Sequence, residues 1–315
     1  TLTATEVAFR IAPRMNAAGR MDVARDVIDL FTVKEPGRAQ EIAVRLNQLN
    51  GDRQQEEARI VAEIQERLDN DPTARDAYCL VVDGDNWHRG VIGICASRVV
   101  DRYHRPALVV SRDGGEAHGS GRSISSFHLL NALESCPELF SRYGGHSHAV
   151  GFALASEQVP ELRTRLDAYA RQHLTEADFV PLLEFDGELP LEDVTPALWE
   201  SLCRLVPFGM GNPEPVFVAR GARVLTEPRI VKEKHLKLKL ARGGNGQATP
   251  LARAVDAIGW RMAERLQNQP LAFGDALDVA YRIERNTHPD FGGNLQLVLC
   301  DFALAGRAAV MASTP

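Results

Sequence analysis

A long helical pattern limits the folds open to this chain more than any other feature. From about Arg38 to Leu68 the apolar residues recur mostly at helical spacing: Ile42, Leu46, Leu49, Ile60, Ile64 and Leu68. A helix of about 30 residues spans roughly 45 Å. Its middle, between Gly51 and Arg59, is almost wholly polar and cannot lie fully inside one core. The pattern therefore predicts a connecting helix between domains, ended by Asn70-Asp71-Pro72.

After this helix, strand patterns alternate with helix patterns. Tyr78 to Asp83 and Pro106 to Ser111 are typical of buried strands, and Val91 to Tyr103 is typical of a helix. A Gly/Ser/Arg segment and a second helix follow, and Gly144 to Leu154 predicts a Gly-rich turn leading into a strand. A helix with Leu162, Leu166 and Tyr169 on one face closes the segment. The alternation predicts a layered α/β domain.

From about Ala177 the pattern becomes that of a β protein. Short helices interrupt six candidate strands: Leu182–Glu188, Val216–Leu225, His235–Ala241, Arg253–Ile258, Leu277–Glu284 and Leu295–Phe302. Short strands with loop insertions favour a small barrel of the OB type. The predicted fold class is therefore α/β plus β, with a long connecting helix, an α/β domain and a C-terminal OB-fold barrel.

Charge and composition narrow the function. The chain has 315 residues, a formal net charge of -6 and a pI near 5.9. These values argue against coating nucleic acid by bulk charge, but they allow a local basic groove. The five cysteines have no C-x-x-C spacing, which predicts reduced, mostly buried thiols in a cytoplasmic protein. No signal peptide or membrane-spanning stretch is predicted.

Three loop motifs are candidate ligand sites. In Gly144-Gly145-His146 the glycines let the backbone approach a ligand while the imidazole bonds or stacks; a tight turn with a capping histidine is the alternative. Gly119-Ser120-Gly121-Arg122-Ser123 combines exposed N–H groups, two hydroxyls and a guanidinium, which suit an anion, although a flexible turn has the same composition. In the loop Arg14 to Arg20, two arginines flank Asn16, and helix capping is its alternative role.

The segment Trp87-His88-Arg89-Gly90 opens a predicted helix, and Asp83 and Asp85 lie just upstream. These two carboxylates and His88 match metal ligands in type. In a strand-to-helix loop, however, such residues are more often turn formers, and we predict no metal site here.

One strand is basic in an otherwise acidic chain. Between Arg229 and Arg242 six Lys and Arg residues stand against one acid, Glu233. Within it, alternation places His235, Lys237 and Lys239 on one face and leucines on the other. A basic strand face on a barrel suits a nucleic-acid backbone, and a merely solvated face is the alternative.

Taken together and in this order, the segments resemble the RecJ exonucleases of the DHH phosphoesterase superfamily. The resemblance covers essentially the whole chain, and its motifs are R-x-N-A-x-G-R, L-N-x-x-N-x-x-R-Q, W-H-x-G-V-x-G-I, G-S-x-R-S, G-G-H-x-x-A-x-G, P-F-G-x-G-N-P-x-P-x-F and H-L-K-L. It implies four parts: the tail of a DHH domain (1–37), a long connecting helix (38–72), a DHH-associated α/β domain (73–175) and an OB-fold domain (176–307).

The resemblance also implies the ligand and the residues that contact it. Gly145 and His146 would hold the terminal nucleotide. Ser120, Arg122 and Ser123 would hold a phosphate, the 5′ terminal one, and the OB-fold would grip the trailing strand. The residues expected to contact DNA are Arg14, Asn16, Arg20, His88, Ser120, Arg122, Ser123, Gly144, Gly145, His146, Lys234, His235, Lys237 and Lys239.

In such enzymes the DHH domain binds Mn²⁺ or Mg²⁺ and activates a water for phosphodiester attack. This sequence contains no D-H-H triplet and opens with Thr1 inside a motif-rich segment. We therefore expect a part of a longer protein that binds no metal, has no catalytic residue of its own and is inactive alone. The expected whole is a 5′-to-3′ exonuclease for single-stranded DNA in repair and recombination, with a single-stranded-DNA-binding protein and a helicase as partners.

Two other functions stay open. One is a DHH-family phosphodiesterase for very short oligonucleotides or cyclic dinucleotides, although the additional β-rich sequence with its basic strand favours longer strands. The other is a non-catalytic protein that binds single-stranded DNA or acts as an adaptor.

Overall fold

Helices open the first of two compact units, Thr1–Pro181 and Leu182–Pro315. The structure, a computed structural model, describes residues 2, 4–22, 24–241, 254–286 and 294–306. Helix α1 (Ala4–Glu6) leads through a π-helical turn (Val7–Ile11) into α2 (Ala12–Met21), and α3 (Arg25–Thr32) follows. The finer division into four parts, at residues 37, 72 and 175, remains a prediction.

The predicted loop Arg14–Arg20 is wrong, because these residues lie inside α2. Pro13 stands in the first turn, where its missing N–H costs no hydrogen bond. Ala17 and Ala18 are fully buried, and Ala18 packs against Ile42 and Leu46 of the long helix that begins at Pro36. This packing outweighs the poor helix propensity of Gly19.

The predicted connecting helix is present as α4 (Pro36–Asn70), and its 35 residues extend about 52 Å. Most of its predicted apolar positions are buried. The polar middle is held by ion pairs. Arg53 bonds Glu57 at 2.5 Å, with side chains only 12% and 13% exposed. Glu57 also accepts a 2.9 Å hydrogen bond from Arg98, so the middle of α4 packs on a neighbouring helix through charged groups.

The rest of the first unit is a five-stranded sheet with helices on both faces. Its elements are α5 (Pro72–Arg75), β1 (Leu80–Asp85), α6 (Arg89–Tyr103), β2 (Ala107–Asp113), β3 (Glu116–Arg122), α7 (Leu129–Glu134), β4 (Phe140–His146), β5 (Ala149–Ala155) and α8 (Val159–His173). The strand order is β1-β2-β3-β5-β4; β1 and β2 are parallel, and the other pairs are antiparallel.

The two faces of this sheet are covered unequally. Helices α7 and α8 cover one face, and their core takes side chains from four strands, β1, β2, β3 and β5. Helices α4 and α6 cover the other face, but within the described chain their buried core takes strand side chains from β1 and β2 only. The α6 face of β4 and β5 therefore lies outside that core.

The predicted loop Gly119–Ser123 is largely strand. Residues 119–122 lie in β3 and pair with both β2 and β5, so their backbone N–H groups are not exposed for an anion as predicted. A Cβ on Gly119 would overlap the Phe152 ring, and a Cβ on Gly121 would lie 2.7 Å from Leu129. These two glycines therefore serve packing rather than flexibility.

The second unit is built on a seven-stranded sheet in the order β6-β7-β11-β12-β10-β9-β8. Its elements are β6 (Gly187–Glu188), α9 (Pro196–Leu202), β7 (Phe217–Arg223), β8 (Arg229–Val231), β9 (His235–Ala241), β10 (Ala254–Gly259), α10 (Ala263–Asn268), β11 (Ala276–Arg285) and β12 (Leu295–Leu304). Across the described strands the barrel is not closed, since β7 and β9 are joined only by an isolated bridge between Val224 and Leu240.

No helix in the described part of the chain is long and apolar enough to cross a membrane. Cys79, Cys95 and Cys136 are buried free thiols, and Cys203 and Cys300 are half-buried free thiols.

Candidate nucleic-acid interface

The α6 face of the first sheet brings together residues that are distant in sequence. Directly opposite residues of antiparallel strands share a face. Across β3, β5 and β4 the register gives three such rows: His118–Ala153–Arg142, Ser120–Gly151–Gly144 and Arg122–Ala149–His146. The G-S-x-R-S and G-G-H motifs, which the sequence presents separately, therefore form one surface.

The middle row of this surface has almost no side chains. A Cβ on Gly144 or on Gly151 would meet no atom within 4 Å, so packing does not require glycine at either position. Glycine weakens a strand interior, and it often marks a place where a ligand approaches the backbone closely. The facing pair leaves a strip of backbone open between two polar rows, which we call the glycine floor.

Arg122 borders the glycine floor, and its guanidinium has no acidic partner among the residues that the structure describes. It is half-buried and donates from Nη1 to the Gly121 carbonyl at 2.7 Å. Burial, and then the nearby Arg20 guanidinium, lower the pKa of Arg122. No described carboxylate pairs with it, and an anion bound here would favour its charged form. Helix α6 packs closely on β3 here, because a Cβ on Gly93 would lie 3.3 Å from the Arg122 side chain and 3.5 Å from the Ser120 hydroxyl.

Arg20 reaches this place from the end of α2. Its Nη1 donates to the Gly90 carbonyl at 3.2 Å, and any Cβ on Gly90 would overlap the Arg20 backbone. Arg14 points elsewhere: it bonds Asn47 of α4 at 2.8 Å and the Arg10 carbonyl at 2.6 Å. Asn16 is exposed. The structure therefore brings Arg20, but not Arg14, to Arg122.

His88 caps helix α6. Its ring Nδ1 accepts a hydrogen bond from the backbone N–H of Gly90 at 3.1 Å. The backbone N–H of His88 donates to the Glu56 carboxylate at 3.4 Å. This geometry gives His88 a structural role, and its role in binding DNA remains a prediction.

The carboxylates near His88 are paired with arginines. Asp83 pairs with Arg163 at 2.5 Å and with Arg112 at 3.2 Å, and Asp85 pairs with Arg112 at 3.1 Å. Across all described residues no group of three or more His, Cys, Asp and Glu side chains could hold a metal ion. The described residues therefore do not fit the divalent metal that the resemblance implies.

The other predicted residues of these motifs have mixed positions. The Ser123 hydroxyl donates to the Phe127 carbonyl at 2.7 Å and its N–H to the His148 carbonyl at 3.1 Å, so both groups are already bonded. Gly145 has a φ of 145° and would collide with Ala149 if it carried a Cβ, which ties it to the hairpin. His146 is exposed beside the floor.

Three residues of this surface were not predicted from the sequence. Arg89, His118 and Arg142 line a cleft of about 370 Å³ together with Ser120 and Gly151. Arg142 is exposed and has no described ion-pair partner. Only the strand register, which sequence spacing does not encode, shows that Arg142 and His118 flank the floor.

In the second unit the predicted alternation of the basic strand is confirmed. Leu236, Leu238 and Leu240 of β9 are buried, while His235, Lys237 and Lys239 are half-buried on the other face. Lys239 lies 3.8 Å from Asp256. Lys234 is exposed in the turn before the strand. Four of the five lysines of the chain lie between residues 232 and 239.

Comparison with known protein families matches both units. The DHHA1 domain matches residues 76–172, and the RecJ OB domain matches residues 185–301. The chain is 37% identical over 238 residues to the single-stranded-DNA-specific exonuclease RecJ of Bacillus subtilis, covering 74% of this chain and 30% of the relative. It is 35% identical over 283 residues to RecJ of Thermus thermophilus, covering 90% of this chain and 38% of the relative.

Solved structures agree with these matches. The crystal structure of Thermus thermophilus RecJ in complex with Mn²⁺ superposes with a TM-score of 0.75 at 32% identity, covering 98% of this chain and 43% of that one. A DHHA1 domain followed in sequence by a RecJ OB domain defines the class of protein to which the chain is similar. The chain belongs to the RecJ family of single-stranded-DNA-specific exonucleases. It spans about half or less of the length of these relatives.

Proposed function

We propose that this chain is the DNA-binding part of an exonuclease that degrades single-stranded DNA from the 5′ end. Its relatives are single-stranded-DNA-specific exonucleases, and the α6 face of the first sheet has the chemistry to hold a strand end. We place this activity in DNA repair and recombination in the cytoplasm, with a single-stranded-DNA-binding protein and a helicase as partners.

The observation that carries this proposal is the Arg20–Arg122 pair beside the glycine floor. Burial and the nearby Arg20 guanidinium lower the pKa of Arg122, and an anion bound beside Arg122 would favour its charged form. Guanidinium groups bind phosphate in a bidentate manner. A terminal phosphate at Arg122 would place the attached sugar over Gly151 and Gly144, where no side chain blocks the backbone.

The other residues of the surface position the nucleotide. The Ser120 hydroxyl lies in the same row as the two glycines and would donate to a phosphate oxygen. His146, at the end of the Arg122 row, is exposed and would bond or stack on the terminal nucleotide. Ser123 and His88 would support this surface through their backbone and capping bonds.

The second unit contributes a backbone contact of a different kind. Lys234, His235, Lys237 and Lys239 would face the phosphates of a longer strand. Lysine binds phosphate as a flexible point charge without fixed geometry. This face would therefore bind single strands of any sequence, and its affinity would depend strongly on salt.

We propose further that the chain binds DNA without cleaving it. The Mn²⁺ or Mg²⁺ that supplies the nucleophilic water in such an enzyme would be held by residues other than those described, since these contain no suitable ligand group. All roles assigned to this chain are therefore binding and positioning roles.

Fluorescence anisotropy and a nuclease assay on the same sample test the proposal. We expect the chain to bind a 5′-phosphorylated 20-nucleotide single strand more tightly than the matched duplex, and to release no nucleotide in Mn²⁺ or Mg²⁺. Equal affinity for single strand and duplex would contradict the proposed substrate. Cleavage that copurifies with the chain would contradict its binding-only role. Tighter binding of a cyclic dinucleotide than of the long strand would favour the short-substrate alternative.

A further inference from the structure

Trp260 is an exposed tryptophan at the end of the basic sheet face. It follows β10 directly, in the turn that leads to α10, and 53% of its surface is exposed. Strand β10 pairs with β9, with Gly259 opposite Leu236. Trp260 therefore stands beside the first residue of the basic strand, His235.

The position of the Trp260 ring is fixed by His235. The two rings lie 4.8 Å apart between centroids and are inclined by 80°, an edge-to-face contact. The His235 Nδ1 accepts a 3.0 Å hydrogen bond from the Arg261 N–H. Arg261 has a φ of 61°, an unfavourable backbone conformation for a residue with a side chain, and such conformations persist where their surroundings enforce them. The turn therefore presents the indole from a rigid support.

The surroundings of Trp260 are rich in cations. Arg229 lies directly opposite Lys237 in the β8–β9 register. Lys232, Lys234 and Arg261 are exposed, and none of them has an ion-pair partner among the described residues. The acids on these segments and on β10 are Glu233, Asp256 and Glu264, and Asp256 lies 3.8 Å from Lys239. An exposed indole with several cations around it has the two components of a single-strand binding surface: a stacking ring and charges for the backbone.

We infer that Trp260 is a stacking platform for an unpaired nucleobase, held in place by His235. The inference rests on the proposed function, and it adds a base contact to a face that otherwise contacts phosphates. The ligand is a base of single-stranded nucleic acid with no sequence preference, because every base has a π face. A duplex would not use this platform, since its bases are already stacked on each other.

The fluorescence of the chain tests this inference directly. The chain has three tryptophans: Trp87 is 1% exposed, Trp199 is half-buried, and Trp260 is exposed. We expect oligo(dT) to quench the emission of the wild-type chain, and the matched duplex at equal occupancy to leave it nearly unchanged. Trp260→Leu should abolish the quenching and weaken oligo(dT) binding about fivefold or more.

Two further variants separate stacking from general damage. Trp260→Phe keeps an aromatic ring and should retain most of the affinity. Phe273→Leu removes another exposed aromatic residue of this unit, 64% exposed, and should leave binding and quenching unchanged.

Three outcomes decide the matter. If oligo(dT) binds by anisotropy without quenching, or if Trp260→Leu binds like the wild type, the inference is wrong and the proposed function stands. If Trp260→Leu loses its thermal transition, the quenching of the wild type and the affinity of Trp260→Phe decide instead. If the wild-type chain binds no single strand, the inference and the proposed function both fail.

Discussion

At Gly144 and Gly151 the first sheet omits side chains that its own packing could accommodate. The contrast with Gly119 and Gly121 shows the difference between two roles of glycine in one sheet. Gly119 and Gly121 fit under Phe152 and Leu129, whereas Gly144 and Gly151 face open space. The stability of the sheet explains the first pair, and we propose that the binding of a ligand explains the second.

Gly151→Val should separate binding from stability. The new side chain has open space and favours a strand, so the thermal midpoint should stay the same or rise. It would stand on the glycine floor, and we expect the affinity for 5′-phosphorylated single-stranded DNA to fall about tenfold, or roughly 1.4 kcal/mol. Calorimetry and anisotropy measure the two effects.

Gly187→Val is the matched control, because Gly187 is also a strand glycine with open space at its Cβ position. It should leave DNA binding unchanged. If Gly151→Val also leaves DNA binding unchanged, the glycine floor does not contact the DNA.

For single residues, the sequence predicted the chemical types of the candidate site better than their surroundings. The G-G-H motif and Arg122 were predicted from composition and order. Arg142 was missed, because an isolated arginine has no local pattern, and only the register of β4 on β5 places it beside the cleft. The predicted backbone anion site in β3 was wrong, since pairing on both sides uses those N–H groups.

Among the elements, α4 shows how a long helix can carry charge through its middle and still pack. Arg53 and Glu57 are nearly buried, and Arg98 of α6 completes the group. Breaking one member of such a group leaves the others buried without a partner, which costs more than the intact group contributes.

Glu57→Ala should therefore destabilise the chain. It leaves the Arg53 guanidinium, 12% exposed, without its carboxylate, and we expect a loss of about 2–4 kcal/mol in the free energy of unfolding. Urea denaturation measures this. Glu66→Ala, at an exposed position of the same helix, should change the value by no more than about 0.5 kcal/mol. Equal effects of the two substitutions would show that the buried group contributes nothing specific.

Periodicity predicted those elements whose burial repeats regularly. The alternation in β9 predicted both its bounds and its faces, and the spacing in α4 predicted a long helix. Helix α2 was not predicted, because its stability comes from alanines packed on α4 rather than from its own propensities. The two sides of the OB sheet meet at only one described bridge, between Val224 and Leu240, so the barrel stays open. Local sequence patterns do not encode such a contact.

For the whole molecule, a net charge of -6 coexists with a lysine cluster on one strand and its turn. Acidic side chains elsewhere reduce nonspecific attraction to DNA, so we expect binding to depend on the local basic face. The double variant Lys234→Ala/Lys237→Ala should lower the affinity for oligo(dT). It should also reduce the slope of log affinity against log salt by about 1.4, since each phosphate contact on a single strand contributes roughly 0.7.

Lys34→Ala is the control for this double variant, because Lys34 is the lysine outside the cluster and is exposed in the first unit. It should leave the slope unchanged. An unaltered slope in the double variant would mean that the basic strand is only solvated.

The most direct test of the central claim is the dependence of binding on the 5′ phosphate. Anisotropy should compare one single strand with a 5′ phosphate and with a 5′ hydroxyl, using the wild-type chain and Arg122→Gln. We predict that the wild type prefers the phosphorylated end about fivefold or more, since a charge-assisted contact is lost with the phosphate, and that Arg122→Gln shows no preference. Equal affinity of the wild type for both ends would contradict a terminal-phosphate site at Arg122.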